Sequence, residues 1–514
     1  MRSLLGAITV AAVALSPLAV AAPAEAHGRD DAAIRKLVKD VSGKNVKKHL
    51  KAFQAIADAN GGTRVSSSPG FDASRDYVAR KLRAAGYQVT IQPFEFTFDG
   101  YRTPPVLKRT GPAPEKTYTY GFFQDYVAMA DSPSGSASGT IQPVDLVLPP
   151  GAAANTSTSG CEASDFAGFV PGNVALMQRG TCNFRVKVDN AIAAGAKAAI
   201  VFNEGQEGRT EVDLNPTLSG PGVTIPAFFT RFSVGQELAA AAGTTVQLNW
   251  DPVVEQRTTY NVIAQTRKGD PDHVVMLGAH LDSVQEGPGI NDNGSGSAGI
   301  LEVALQFART KPKNAVRFAF WGAEEFGLLG SEHYVASLTE EERAKIALYL
   351  NFDMIASPNY TFGIYDGDGD AFGTAGPAGS DVIEEDFEKF FAGRGLPHTA
   401  TAFTGRSDYG PFIAVGIPSG GLFTGAEVLK TEEEAAIFGG TAGIPLDPCY
   451  HSVCDTIANI DDKALDVNSD AIAALTAKYA FDTGAIGTAP APAAGRAGQA
   501  ERAGHTHKPA DAAS

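Results

Sequence analysis

The second half of the chain alternates short apolar runs with longer amphipathic segments. Between Tyr260 and Phe481 the apolar runs include HVVMLGAH, NAVRFAFW and AKIALYLNFDMI, and GSAGILEVALQFART has the apolar spacing of a helix. Strands that alternate with helices predict an α/β fold with a mostly parallel central sheet flanked by helices. In such a sheet, ligands bind beyond the carboxyl ends of the strands, so functional side chains are expected there.

The first part of the chain shows the same two periodicities. Asp30 to Ala59 is amphipathic at helical spacing, and Asp72 is placed to cap a second helix that stops at Gly86. YQVTIQPFEFTF then alternates apolar and polar residues, which predicts a strand.

From about residue 120 to residue 250 the composition shifts towards Gly, Ser, Pro and short apolar runs. Here NVALMQRGTCNFRVKVDNAIAAGAKAAIVFNE predicts a strand, a turn, a helix and a strand in that order. We interpret residues 120–250 as a compact α+β module. It is inserted between residues 27–119 and 251–484, which form the two parts of the larger domain.

Both ends of the chain differ from the folded parts. Residues 1–26 combine a charged start, an apolar run and the small-residue site AEA, which predicts a signal peptide and a secreted, extracellular protein. This apolar run is too short to span a membrane and no later stretch reaches transmembrane length, so we expect no membrane anchor. Residues 485–514 are rich in Ala, Pro and Gly, which predicts a disordered tail with solvated His505 and His507.

The four cysteines fall into two local pairs, Cys161 with Cys182 and Cys449 with Cys454. In the oxidising environment of an exported protein, an even and locally paired set predicts two disulfide bonds. A zinc site built from cysteines is the weaker alternative, because neither pair has C-x-x-C spacing.

Charge limits the range of partners. The chain has a formal net charge of -16, and no basic run balances it. A chain of this charge is repelled by phosphate backbones, so we expect no nucleic-acid partner.

Histidine and carboxylate side chains stand where the predicted strands end. A histidine ends VVMLGAH, two glutamates follow VRFAFWGA, and an aspartate follows ALYLNF, while DPCYHSVCD presents a second histidine in a loop. By the strand-end rule these side chains meet at one edge of the sheet. The candidates are His280, Asp282, Asp292, Glu324, Glu325, Asp353 and His451.

Two histidines with several carboxylates are ligands for zinc or similar first-row ions. The number of carboxylates favours two zinc ions per chain, with one carboxylate bridging them. Asp282 is then expected to accept the second ring N–H of His280. Such a centre also explains two adjacent glutamates after a buried strand, where Gly322 is expected to let the chain turn, because buried carboxylates need a partner or a metal.

Each of these residues has a plainer interpretation when it is taken singly. Asp292 could cap the following helix, Asp282 could form an Asx turn, and His451 could be a surface histidine. Their recurrence at equivalent strand ends favours the metal centre. The remaining histidines lack comparable neighbours and are expected to be structural or solvated: His49, His273, His333 and His398.

At these residues the sequence resembles the M28 family of zinc aminopeptidases, in its secreted bacterial form. The matching segments are GAHLDS, NDNGSGSAG, WGAEEFGLLGS, NFDMI, GRSDYGPF and CYHSVCDT, in that order. The inserted module resembles a protease-associated (PA) domain through VALMQRGTCNFRVKVDNAIAAGAKAAIVFNE. The resemblance implies a zinc-dependent exopeptidase fold with a PA insert.

The resemblance also implies how the metals are held. His280 and Asp353 would bind one zinc ion. Glu325 and His451 would bind the second, and Asp292 would bridge the two.

Further residues would act on the substrate. Glu324 would be the general base that takes a proton from the attacking water and passes it to the leaving amine. Tyr450 matches a position that hydrogen-bonds the developing oxyanion. Acidic groups such as Glu324 and Asp353 would hold the free amine. Arg406 would position the substrate, or else pair with Asp408 to fix its loop.

Two acidic groups are candidates for a structural calcium ion. YDGDGDAFG (Asp366, Asp368 and Asp370) begins like a calcium loop but lacks the Gly and the late Glu of an EF-hand, so we interpret it as a turn. Asp466 and Asp470 lie where some relatives bind calcium, with a solvated helix face as the alternative.

The resemblance implies an aminopeptidase that acts on peptides with a free N-terminus, with leucine and other large hydrophobic residues as the family's usual preference. Phe403 and Phe423 could line its pocket or lie in the core. The alternatives are a PA-containing metallocarboxypeptidase and a non-catalytic binding protein. We expect a monomer.

Overall fold

The computed structural model describes residue 32, residues 34–112 and residues 114–487. The predicted signal peptide and the tail from residue 488 onwards, with His505 and His507, lie outside these residues. In the part described, no helix is both long and apolar enough to cross a membrane.

Two eight-stranded sheets organise this part of the chain. The strands are β1 (Gln88–Tyr101), β2 (Val106–Gly111), β3 (Lys116–Thr117), β4 (Tyr126–Ala128), β5 (Gly135–Pro143), β6 (Val174–Gln178), β7 (Ala198–Phe202), β8 (Ala227–Thr230), β9 (Thr245–Trp250), β10 (Pro252–Gln265), β11 (Asp270–His280), β12 (Asn314–Trp321), β13 (Ile346–Phe352), β14 (Gly363–Tyr365), β15 (Thr399–Thr401) and β16 (Ser419–Phe423). The helices are α1 (Gly43–Ala59), α2 (Pro69–Ala85), α3 (Phe184–Ala193), α4 (Phe232–Ala240), α5 (Gly294–Phe307), α6 (Leu329–Ser337), α7 (Glu340–Ala344), α8 (Ser380–Gly393), α9 (Gly410–Ala414), α10 (Glu432–Phe438) and α11 (Asp462–Phe481). Short 3₁₀ turns lie at Ala163–Phe166 and Ile457–Asn459.

The first sheet has the order β1-β10-β12-β11-β13-β16-β14-β15. Its centre, from β12 through β11 and β13 to β16, is parallel, and the antiparallel pairs lie outside this centre. The central strands are continuous runs of buried apolar residues, as strands covered on both faces must be. The predicted α/β class is therefore confirmed.

Helices cover both faces of this sheet. Against one face, α1, α2, α5 and α11 contribute Leu50, Phe71, Leu301 and Ile472 to the main hydrophobic core. Against the other face, α6 and α9 enclose a smaller aromatic core in which the ring of Phe412 stacks on Tyr349 at 3.8 Å.

Two predicted details of the first helices are wrong. Residues 34–40 and α1 are separate helices, because the chain is extended at Ser42, whose side chain caps α1. Asp72 does not cap α2. Ser68 does, with its hydroxyl accepting from the N–H of Phe71, and Asp72 lies in the first turn. The predicted stop at Gly86 is confirmed by its left-handed conformation.

The second sheet has the order β3-β2-β9-β5-β6-β7-β8-β4 and is built between residues 106 and 250. Its strands β5 to β8 are parallel, and α3 and α4 pack on opposite faces in two separate cores. The disulfide Cys161–Cys182 lies in this unit, and Cys449–Cys454 lies in the first. Both predicted disulfides are confirmed.

The inserted unit contacts the first sheet beside its strand ends. Tyr101 at the end of β1 packs its ring against Tyr120 and Trp250 of the insert. A Cβ atom added to Gly121 would lie 3.3 Å from the carbonyl oxygen of His451. The first loop of the insert therefore lies against the loop that carries His451.

Candidate active site

Three neighbouring parallel strands deliver most of the candidate residues to one edge. His280 is the last residue of β11, Glu324 and Glu325 follow β12, and Asp353 follows β13. Because β11 pairs in parallel with both β12 and β13, their carboxyl ends meet.

Asp292 lies between the two histidines of this edge. His280 Nε2 is 3.2 Å from Asp292 Oδ1, and His451 Nε2 is 3.2 Å from Asp292 Oδ2. Each carboxylate oxygen thus faces a different imidazole. His280 Nε2 is also 3.4 Å from Asp353 Oδ1, while His451 Nε2 is 3.0 Å from Glu325 Oε2. This arrangement has the form of two ligand groups that share one carboxylate.

The donor set fits divalent metal ions. His280 forms one group with Asp292 and Glu325 and another with Glu324 and Asp353, and within each group the ligand atoms lie within 4.8 Å of one another. Glu325 Oε1 and Asp353 Oδ1 are buried and accept no hydrogen bond from the residues that the structure describes. Buried carboxylate oxygens without a partner are costly unless a cation binds them.

The pKa values show how densely these charges are packed. Burial lowers the pKa of His280, but nearby carboxylates, Glu324 first, raise it well above its usual value. Burial raises the pKa of Glu324 well above the ordinary range and that of Glu325 to about 7. For Asp292, burial raises the pKa, but hydrogen bonds from His280 and His451 outweigh it and lower the pKa overall.

Asp292 is held in place through hydrogen bonds to its backbone. Asp455 accepts hydrogen bonds from the backbone N–H groups of Asn291 at 2.8 Å and Asp292 at 2.9 Å. Asn293 caps α5 through the N–H of Gly296. Asp292 is therefore fixed by its neighbours, and its own carboxylate does not cap the helix as the plainer interpretation required.

Asp282 lies beside His280 as predicted, although its carboxylate is not the nearest acceptor for the Nδ1 atom of His280. The Nδ1 atom of His280 is 3.2 Å from the backbone oxygen of Asp282 and 3.7 Å from its Oδ1 atom. That Oδ1 accepts from the N–H of Glu324 at 3.3 Å. Asp282 thus connects the ends of β11 and β12.

The turn that carries the two glutamates is built differently from the prediction. Gly322 has no left-handed conformation, and it is Ala323 that has a positive φ of 52°. A Cβ at Gly322 would lie 2.6 Å from the backbone oxygen of Tyr260. Gly322 therefore permits close packing against β10, and the reversal itself falls one residue later.

Replacing Gly330 with alanine tests this close packing. A Cβ there would lie 2.2 Å from the oxygen of Gly322 and 2.5 Å from Asn261 Oδ1. We expect Gly330→Ala to lower the free energy of unfolding by about 1–3 kcal/mol, measured by urea denaturation. The control Gly393→Ala has open space around its Cβ and should be neutral or slightly stabilising. Equal effects of both variants would contradict the account.

Arg406 does not pair with Asp408, so that alternative is wrong. Arg406 Nη1 donates to Glu427 Oε1 at 2.6 Å, and Nη2 donates to Tyr450 Oη at 3.2 Å. The Tyr450 ring stacks on His451 with centroids 3.8 Å apart. Asp408 is buried instead against Ser331, whose hydroxyl donates to it at 2.5 Å, and burial raises its pKa to about 7.

The candidate active site opens into one cavity of about 330 Å³. The predicted metal ligands, Glu324, Arg406 and Tyr450 all line it, and so does Phe423. Phe403 lies behind the wall, where its ring stacks on Tyr365 at 5.1 Å. The cavity therefore combines a charged end with apolar walls.

Three residues that support the site were missed from the sequence. Ser407 donates to Asp353 Oδ2 at 2.6 Å, and Glu427 and Asp455 make the contacts given above. Ser407 lies inside GRSDYGPF, one of the segments that carry the resemblance, so the sequence contained a signal for it. Asp455 lies inside CYHSVCDT in the same way. Glu427 lies in a segment whose pairing depends on how the chain returns to the site.

The candidate calcium groups make contacts within the protein. Asp366 accepts from the N–H groups of Gly369 and Phe372, which fits the predicted turn. Asp466 accepts from the N–H of Gly43 at the start of α1. Asp470 pairs with Arg394 at 2.6 Å. A calcium ion at either group stays a prediction.

A parallel α/β sheet whose strand ends gather two histidines and several carboxylates around a cavity defines a metal-dependent hydrolase. The Peptidase family M28 model matches residues 261–476, and the PA domain model matches residues 144–238. An aminopeptidase of Pseudomonas aeruginosa is 46% identical over 505 residues, covering 94% of this chain and 92% of the relative. The chain therefore belongs to peptidase family M28, with a PA domain, and is a metalloexopeptidase.

Other relatives and solved structures agree with this assignment. A probable leucine aminopeptidase 2 of Aspergillus fumigatus is 45% identical over 420 residues, covering 81% of this chain and 79% of the relative. An aminopeptidase structure from Aneurinibacillus sp. strain AM-1 is 27% identical with a TM-score of 0.53, covering 87% of this chain and 95% of that one. A zinc aminopeptidase structure from Bacillus subtilis is 25% identical with a TM-score of 0.57, covering 85% and 95%.

Proposed function

We propose that this metalloexopeptidase is a dizinc aminopeptidase that removes large hydrophobic residues from the N-terminus of peptides. The observation that carries the proposal is Asp292, whose two oxygens each face a different histidine at the cavity's charged end. The relatives that bear the name aminopeptidase support the same reaction.

His280 and Asp353 would hold one zinc ion, Glu325 and His451 the other, and Asp292 would contact both. The buried oxygens of Glu325 and Asp353 that lack a protein partner support this division. When bound, the two ions polarise the scissile carbonyl and lower the pKa of water, which provides a nucleophile at neutral pH.

Glu324 is the proposed general base. Its carboxylate is buried beside His280, at 3.7 Å from Nε2, and lines the cavity. It would take a proton from the attacking water and return it to the leaving amine.

Tyr450 is the proposed oxyanion donor. Its hydroxyl accepts a hydrogen bond from Arg406, which leaves the hydroxyl proton free to point at the substrate. Arg406 would position this tyrosine, and its own charge is balanced by Glu427.

The charges along the cavity favour an aminopeptidase over a carboxypeptidase. A carboxypeptidase must bind a terminal carboxylate with cationic groups, whereas an aminopeptidase must bind an ammonium group with acids. Among the residues that the structure describes, Arg406 is the one cationic residue besides the histidines that lines the cavity, and it is already paired with Glu427. Glu324 and Asp353 are the proposed acids for the substrate's amine.

The cavity walls support a large apolar first residue. The lining includes Met354, Tyr365, Phe423 and Leu446, and the first, second and fourth of these are almost fully buried. A leucine side chain placed among them would lose water on all sides, which favours its binding.

A free amine should decide whether a substrate is cleaved. We expect the protein to hydrolyse leucine p-nitroanilide and to lose at least about 100-fold in kcat/KM on N-acetyl-leucine p-nitroanilide, because acetylation removes the positive charge. Release of p-nitroaniline measures both. Equal cleavage of the two, or preference for an N-blocked dipeptide, would contradict the aminopeptidase proposal.

The organisation of the chain is part of this proposal. Since β2 joins the second sheet, we place the start of the inserted module near residue 106 instead of residue 120. The two disulfides support a secreted protein. We also propose that the protein acts on free peptides as a monomer.

A further inference from the structure

One wall of the cavity mouth is a protruding segment, residues 426–447, here called the rim loop. Its two arms run antiparallel, with the N–H of Leu446 donating to the oxygen of Val428 and the N–H of Lys430 donating to the oxygen of Ile444. Helix α10 lies between the arms.

Two buried polar side chains, Lys430 and Asn359, hold the rim loop in place. Lys430 is buried, and its Nζ atom donates to the backbone oxygens of Asn359 at 3.1 Å and Tyr360 at 2.7 Å. The side chain of Asn359 accepts from the N–H of Thr441 and donates to the oxygen of Pro445. The loop's shape is therefore set by its inner contacts.

Its outer apolar side chains are left in solvent. The exposed fractions are 62% for Val428, 56% for Leu429, 57% for Ile437 and 40% for Ile444. Several large apolar residues left in solvent on one segment at the mouth of a cavity indicate a binding surface.

This surface continues from the cavity. Val428 and Glu434 line the cavity together with the predicted metal ligands, and so does Phe372, which is itself 54% exposed. Ile437 lies three residues after Glu434 on α10, so both are on the same face of the helix. The apolar surface therefore begins inside the cavity mouth and extends outwards along the rim loop.

The direction of the substrate identifies the occupant. In the proposed aminopeptidase reaction, the N-terminal residue occupies the buried end of the cavity, so the rest of the peptide must leave past its mouth. We propose that the rim loop binds the residues that follow the scissile bond, and that the enzyme's substrates are extended peptides with apolar side chains there. This inference rests on the proposed function.

Charge on the same loop narrows the substrate class. Glu432, Glu433 and Glu434 form the first turn of α10, and the first two are exposed. A peptide with acidic residues after the scissile bond would meet these like charges. Apolar residues are accepted at the rim loop, and acidic ones are repelled.

Four substrates that differ in length and polarity distinguish binding at the rim loop from catalysis at the metal centre. The substrates are Leu-Val-Phe-Gly, Leu-Gly-Gly-Gly, Leu-Asp-Asp-Gly and leucine p-nitroanilide, whose small leaving group does not reach the outer surface. For the unchanged protein we expect kcat/KM to be about tenfold higher for the apolar than for the glycine tetrapeptide, and lowest for the acidic one.

The variants are Leu429→Ser with Ile437→Ser, and the control Val254→Ser. Val254 is 66% exposed on β10 and does not line the cavity. The double variant should lose about fivefold in kcat/KM on Leu-Val-Phe-Gly through a higher KM. Its kcat/KM on the other three substrates should be unchanged. The control variant should have the same kcat/KM as the unchanged protein on every substrate.

Three results would overturn the inference. The unchanged protein could fail to discriminate between the tetrapeptides, the double variant could keep full activity on the apolar one, or it could lose equally on all four substrates. Failure of the unchanged protein on leucine p-nitroanilide and every peptide would instead remove the aminopeptidase function on which the inference rests.

Discussion

Replacing Glu324 with glutamine is expected to lower kcat by about 10²–10⁴-fold while the zinc content stays at two ions per chain. Glutamine keeps the shape of the side chain but cannot accept a proton from water. Glu324 lies 3.7 Å from His280 Nε2, so it is close enough to serve the centre, and Glu325 next to it is the proposed ligand. Leucine p-nitroanilide turnover and metal analysis of the purified variant provide the two readouts.

A matched control separates loss of the base from loss of a buried carboxylate. Glu302 is also buried, but it pairs with His49 in the main core, away from the cavity. Glu302→Gln should keep kcat within about twofold for the folded protein, since it touches no reacting group. If Glu324→Gln retained full turnover, Glu324 would not be the general base. Turnover by the unchanged chain would exclude a non-catalytic binding protein.

Replacing Asp292 with asparagine is expected to have the second large effect, because it removes the group that both ions would share. An amide has no charge and cannot offer two anionic oxygens to two cations. We expect the zinc content to fall below one ion per chain and the turnover to fall by at least about 10³-fold. Glu325→Gln should remove only one ion, since Glu325 Oε2 lies 3.0 Å from Nε2 of His451, the other proposed ligand of that ion.

A second acidic group, which contains none of the proposed zinc ligands, provides the control for this experiment. Asp366, Asp368 and Asp370 are close enough to hold a cation, but two of the three are exposed. Asp366→Asn should leave the zinc content unchanged. Loss of zinc from this variant, or full zinc in Asp292→Asn, would contradict the assignment of the bridging carboxylate.

The strand-end ligands could be predicted because one rule of sheet geometry applies to all of them. Buried runs such as NAVRFAFW identify β12 without ambiguity, and parallel neighbours must end at the same edge. The type of each following residue was then sufficient to suggest a metal.

Other parts depended on contacts that the sequence does not encode locally. Pairing with Asp408, two residues away, was one of two interpretations of Arg406, yet the chain that follows β16 brings Glu427 to it instead. Asp72 and Ser68 are both good helix caps, and Pro69 at the first helical position decides between them. The backbone support from Asp455 likewise needs the folded loop beyond Cys454.

The central claim is that two zinc ions lie at this edge of the sheet and share Asp292. Crystals of the zinc-loaded protein, measured at the zinc absorption edge, test it most directly. We expect two anomalous peaks about 3.5–4 Å apart, one beside His280 and Asp353 and the other beside Glu325 and His451. A single peak, or peaks that do not flank Asp292, would contradict it.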